Sequence, residues 1–181
     1  MRRLALVTFA FSASLNAASA QHQPYAGLDA RPIKALSEQQ IGDLKAGRGM
    51  GLALAAELNG YPGPMHVLEL ADRLGLTAEQ RTRVQMLFGN MRAEAVPLGE
   101  KLVAQEAELD RQFSEKLITP ASLSSATAEI GQTQGALRHA HLKYHLATLD
   151  ILTPEQAQRY AMLRGYHGSH QQQHQAPRHH R

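Results

Sequence analysis

The chain contains no cysteine and no tryptophan. Without cysteine it can form no disulfide, thiolate metal site or thiol nucleophile, so its fold must rest on packing alone. Aromatic residues make up only 5% of the 181 positions, and the basic side chains are scattered among acidic ones. That leaves no basic stripe with interleaved aromatics, and no nucleic-acid partner is expected. The formal net charge of +3 includes Arg2 and Arg3, so the rest of the chain is close to neutral. No segment keeps an apolar–polar alternation of period two, which predicts no sheet. No segment approaches the ~20 consecutive apolar residues of a membrane span. Nothing in the pattern resembles a nucleophile with its base and orienter. Glu79 and Glu155 stand in matching settings, but a first helical turn explains a carboxylate there through the helix dipole. The sequence reads as that of a protein that is not an enzyme.

What is present begins with a leader. Arg2 and Arg3, the apolar run Leu4 to Leu15 and Ala18-Ser19-Ala20 have the three-part form of a secretory signal peptide over residues 1–20. Cleavage is expected after Ala20, with export to the periplasm. Residues 21–36, with Pro24 and Pro32, read as a flexible arm. A helical domain is expected over 37–165. Residues 166–181, rich in His and Gln, have no apolar pattern and read as a disordered tail.

One stretch organises the domain. Leu76-Thr77-Ala78-Glu79-Gln80 is a helix start. The Thr77 hydroxyl can accept from the N–H of Gln80, and Gln80 can reach back to the N–H of Thr77. Leu152-Thr153-Pro154-Glu155-Gln156 repeats the arrangement, with Pro154 where a missing N–H costs nothing. Leu36-Ser37-Glu38-Gln39-Gln40 is a looser copy. After Gln80, apolar residues recur in alternating steps of three and four: Val84, Phe88, Met91, Ala95, Leu98 and Leu102, then Leu109, Phe113 and Leu117. This predicts a helix of ~40 residues, ~60 Å long, that needs a partner helix and bends before Pro97. The partner follows from the Thr119-Pro120 start through Ile130, Leu137, His141 and Tyr144 to Leu149. The short connection makes the two antiparallel. Shorter helices are expected over Ser37 to Ala46, Leu52 to Leu58 and His66 to Leu74, with Gly75 as a C-cap, and a last one from Thr153 to Gly165. The Gly47–Gly51 run reads as a hinge, since a lone glycine cluster with no preceding strand does not make a phosphate loop.

Two L-T-x-x-Q motifs, each opening a predicted helix in an exported, cysteine-free chain, resemble the Spy/CpxP family of periplasmic proteins. That family shades into periplasmic heavy-metal sensors and zinc-binding chaperones. The resemblance covers about Ser37 to Tyr166. It implies an all-α, elongated, bent antiparallel hairpin with additional short N- and C-terminal helices, and a homodimer with a concave face. It also implies binding of unfolded or misfolded envelope proteins without ATP, or reporting of envelope or metal stress to a membrane signalling partner.

Histidine is the second conspicuous feature, with ten in the chain. His141 and His145 stand at i and i+4, so both rings leave one helix face and can chelate a divalent ion. His139 lies beside them in sequence. Two imidazoles do not complete a site, and His66 or Glu57, or a dimer mate, are candidates for a third ligand. His66, alone on a short helix, equally reads as a structural or capping residue. His167, His170, His174, His179 and His180 form a second group, which can take zinc, nickel or copper weakly and without fixed geometry. No cofactor is required by the sequence, and a divalent metal (Zn, Ni or Cu) is the one implied. The leading expectation is an ATP-independent periplasmic chaperone of the Spy/CpxP type. The alternative is a periplasmic heavy-metal sensor or buffer using helix and tail histidines.

Overall fold

The computed structural model describes residues 25–166. The signal peptide over 1–20 and the tail histidines His167, His170, His174, His179 and His180 lie outside the described residues. Within them the chain is all helical: α1 (Glu38–Lys45), α2 (Leu54–Glu57), α3 (Pro64–Glu69), α4 (Ala71–Leu74), α5 (Ala78–Ser114), α6 (Pro120–Leu149) and α7 (Pro154–Arg164), with a 3-10 turn at Leu28–Ala30 and no strand.

The long helices start where the sequence places them. Thr77 and Gln80 form a capping box at α5, Thr153 and Gln156 at α7, and Ser37 and Gln40 at α1. Thr119 caps α6 with Ser122 as the reciprocal partner. Helix α5 runs unbroken past Pro97. Pro97 and Ala93 are exposed, so the carbonyl left without a donor faces solvent. The helix ends at Ser114, three residues short of the Leu117 suggested by periodicity. Lys116 takes a left-handed φ of 58°, and the N–H groups of Lys116 and Leu117 turn back to the carbonyls of Phe113 and Gln112, at 3.1 and 2.9 Å. This is a Schellman closure built without glycine.

Gln80 bonds the carbonyl of Ile151, and Glu94 receives the hydroxyl of Tyr144. As α5 advances, its partners on α6 and just beyond its end recede, so the pair is an antiparallel hairpin. Two apolar clusters hold it. Leu44, Ala95, Leu102, Ile130 and Leu137 form the middle one. Val67, Leu74, Val84, Ile151 and Tyr160 form the one at the base, where the short helices and α7 gather. In the middle, α1 crosses α5 so closely that a Cβ on Gly99 would lie 2.1 Å from the Leu44 carbonyl oxygen.

Three expectations need correction. The helix expected over His66 to Leu74 begins at Pro64 and is interrupted at Leu70, whose φ of −101° and ψ of 11° divide α3 from α4. The arm expected to be flexible over 21–36 is held in its second half, where Ile33 is buried and Lys34 pairs with Asp110 at 3.3 Å. The far end of the apolar stripe is not core: Phe113 is 53% and Leu117 58% exposed. Apart from Leu123, the facing end of α6 carries mostly alanine, serine and threonine, which leave them uncovered.

Candidate metal centre

The base of the hairpin assembles a buried acid among imidazoles. Glu57 is the last residue of α2. The chain turns at Tyr61-Pro62-Gly63, and Pro64 opens α3, which sets His66 one turn into a helix facing back toward α2. From the hairpin, α6 contributes His141 and His145, both buried because they continue its inward stripe past Leu137. Arg164 and Tyr166 arrive from the end of α7. Glu57, His66, His141, His145, Arg164 and Tyr166 line one cavity of about 210 Å³.

Glu57 is 6% exposed and fully engaged. Its Oε1 accepts from the hydroxyl of Tyr160 and, at 2.7 Å, from that of Tyr166. His66 Nδ1 lies 3.5 Å and Arg164 Nε 3.6 Å from the same oxygen. Oε2 accepts from the N–H of Gly63 at 3.2 Å and lies 3.5 Å from His145 Nδ1. Burial pushes this carboxyl's pKa up, but hydrogen bonds from His66, Tyr160 and Tyr166 outweigh burial and hold it at about 2. The acid is therefore a carboxylate, and burial next to that carboxylate pushes the Tyr160 and Tyr166 hydroxyls up.

The two α6 histidines are prepared differently. His145 Nδ1 sits 2.7 Å from the carbonyl oxygen of Tyr61. A carbonyl only accepts, so Nδ1 carries a hydrogen and Nε2 is the ring nitrogen this contact leaves unengaged. Metal-bound imidazoles are commonly oriented in this way, by a backbone carbonyl on the far nitrogen. A Cβ at Gly63 would stand 3.0 Å from that Nε2, so glycine keeps the nitrogen uncrowded. His141 has no such support. Its Nε2 is buried with no hydrogen-bond partner, a costly state for a ring nitrogen. Burial first, and the neighbouring His145 second, push its pKa down, so His141 is a neutral imidazole that can donate a lone pair.

Imidazole nitrogens with one carboxylate, and no sulfur anion, form a donor set suited to zinc, nickel or copper. The residues fit such an ion chemically. Their present positions do not yet converge: among the described residues no three His, Asp or Glu side chains are arranged to hold a metal ion. His139, although next to the pair in sequence, is exposed and outside the cavity.

The motif residues occupy a different place. Leu76 and Leu152 pack on the basal cluster. Gln80 and Gln156, besides closing their own capping boxes, bond each other side chain to side chain at 2.8 and 3.0 Å. Gln80 Nε2 also donates to the Ile151 carbonyl at 2.9 Å. Thr77 and Thr153 accept from the N–H groups of Gln80 and Gln156 at 3.1 and 3.2 Å. The six motif residues thus clamp two helix starts together and touch no part of the cavity.

Sequence reasoning brings His66, His141, His145 and Glu57 into consideration, and the structure places all four on one cavity. It misses the α7 side of the site. Tyr166 is assigned to a disordered tail, but it is described, half-buried and bonded to Glu57. The N–H of Tyr166 returns to the Ala161 carbonyl around Gly165, so the folded unit extends to 166. The signal was there in the lone aromatic after a C-cap glycine, a position that commonly packs back on its helix.

The chain is thus an all-helical hairpin with an imidazole–carboxylate cavity in its base. Residues 49–159 match a family model described as heavy-metal resistance, and the chain belongs to that family. The family is related to the Spy/CpxP-like proteins that the two motifs resemble. The matched span contains Glu57, His66, His141, His145 and both motifs. Neither a curated protein nor a solved structure matches the chain.

Proposed function

We propose that this protein binds a divalent heavy-metal ion of the zinc, nickel or copper class at its basal cavity and acts in metal resistance in the cell envelope as a sensor or buffer. The observation that carries the reading is the buried, unpartnered Nε2 of His141 on a cavity wall shared with Glu57, His66 and His145. His141 and His145 would hold the ion, with His66 and Glu57 completing the set. A bound ion supplies the missing partner for His141 and compensates the buried negative charge of Glu57. Membership of the heavy-metal resistance family supports the same reading. An envelope location rests on the leader pattern over 1–20. Among the described residues no helix is long and apolar enough to cross a membrane.

Titration calorimetry of the full chain with zinc, nickel and copper tests this. The His141→Ala/His145→Ala form should lose about 100-fold or more in affinity for at least one of the three. Deleting 167–181 should remove only weaker, additional sites. Equal affinity in wild type and the double variant, with helix content unchanged by circular dichroism, overturns the reading.

A second reading is ATP-independent binding of unfolded envelope proteins. It is favoured by large apolar side chains left in solvent, among them Met86, Phe113, Leu117 and Leu146. Exposed apolar surface beside charge is what a promiscuous binder presents, and methionine adapts it to varied clients. The mature chain should then suppress aggregation of a reduced model client at a few-fold excess. No suppression with or without metal counts against it.

A further inference from the structure

Glu57, the one carboxylate among the candidate donors, is already taken. The hydroxyls of Tyr160 and Tyr166 both donate to Oε1, which fills the two lone pairs of that oxygen. Arg164 adds a guanidinium 3.6 Å away, a positive charge that opposes a divalent cation at the same place. Of these three, Tyr160 is fixed, being 2% exposed within the basal cluster. Arg164 is exposed and Tyr166 half-buried; both line the cavity and hold each other, with Arg164 Nε donating to the Tyr166 hydroxyl at 2.9 Å. They flank Gly165, whose φ of 75° sets the turn between them.

We propose that the Arg164–Tyr166 turn is a latch that competes with metal for Glu57. An incoming ion takes Oε1, displaces Tyr166 and Arg164, and frees the last turn of α7. Metal occupancy is thereby converted into a change at the C-terminal end of the folded unit, and the latch weakens metal binding by the strength of the contacts that must break. This inference rests on the metal reading above.

Two measurements on the full chain test it. The first is amide hydrogen exchange with and without saturating zinc. The N–H groups of Gly165 and Tyr166, which bond the carbonyls of Met162 and Ala161 at 3.1 Å, should exchange faster with zinc in wild type and unchanged in His141→Ala/His145→Ala. The second is zinc affinity. Tyr166→Phe, which removes only a hydroxyl, and Arg164→Gln, which removes the charge, should each bind about five- to ten-fold more tightly than wild type, about the worth of one ordinary hydrogen bond. Unchanged or weaker affinity in both variants overturns the latch, as does zinc-induced protection of the turn, while the metal site stands. Zinc binding that is the same in wild type and His141→Ala/His145→Ala removes the metal site and the latch with it.

Discussion

Glu57 is held as a carboxylate by its neighbours, and this couples the metal-free protein's stability to pH. Its pKa in the folded chain is about 2 against an ordinary 4.5. The depressed value means that the unfolded chain binds the proton more readily. The stabilisation is complete above about pH 4.5 and is lost as pH falls toward 2. The full window is worth ~3 kcal/mol at most. Denaturant unfolding of metal-free protein should show wild type losing about 1.4 kcal/mol more per pH unit below pH 4.5 than Glu57→Gln does, one proton's share. Parallel pH profiles for the two would mean that the carboxyl is not held in this way. Removing a single donor should also register: Tyr160→Phe keeps the packed ring but leaves Oε1 short of one bond, which costs about 1–3 kcal/mol in urea at neutral pH. Sequence alone allows Glu57 as a third ligand beside His141 and His145. It does not disclose the tyrosines, because Tyr160 lies 103 residues away and only the gathering of α7 with the short helices at the hairpin base brings the two together.

At the scale of elements, the L-T-x-x-Q motifs act as a clamp. Each capping box is local, formed within four residues, and so is legible in the sequence. The pairing of Gln80 with Gln156 spans 76 residues and is not, since it depends on how two helix starts meet. The geometry predicts that the two glutamines are coupled. Gln80→Ala and Gln156→Ala each lose a cap and leave the other amide without its partner, at about 1–2 kcal/mol apiece. The double variant should cost less than the sum of the two by ~0.5 kcal/mol or more in a thermal-unfolding cycle. Strict additivity would mean that the motifs act separately. The crossing of α1 over α5 gives a second prediction of the same scale. Alanine ordinarily favours a helix over glycine by about 1 kcal/mol, yet at position 99 its methyl would collide with the Leu44 carbonyl. Gly99→Ala should therefore destabilise, by ~1–3 kcal/mol, and a rise in melting temperature would show that α1 does not pack there.

For the whole molecule, periodicity reveals where apolar stripes run but not what covers them. Val84, Met91, Ala95 and Leu102 are buried as the stripe implies, because α1, α3 and α6 all reach them. Phe113 and Leu117 continue the same stripe into solvent, where the facing start of α6 is mostly alanine, serine and threonine. Leu123, 38% exposed, adds to that tip. From Thr119 to His141 along α6 is roughly 30 Å at 1.5 Å per residue, so the tip and the histidine-lined cavity occupy separate ends of the hairpin. We propose that a second copy of the chain covers the tip, in keeping with the homodimer that the family resemblance implies. Sedimentation equilibrium of the full chain should then give a dimer mass, and Phe113→Ser/Leu117→Ser should shift it toward monomer. Because the ends are far apart, the same variant should bind zinc with wild-type affinity. A wild-type monomer, or a variant that stays dimeric, removes the tip as the contact between copies. In that case a tip variant that still loses suppression of client aggregation would make those side chains the client-binding surface.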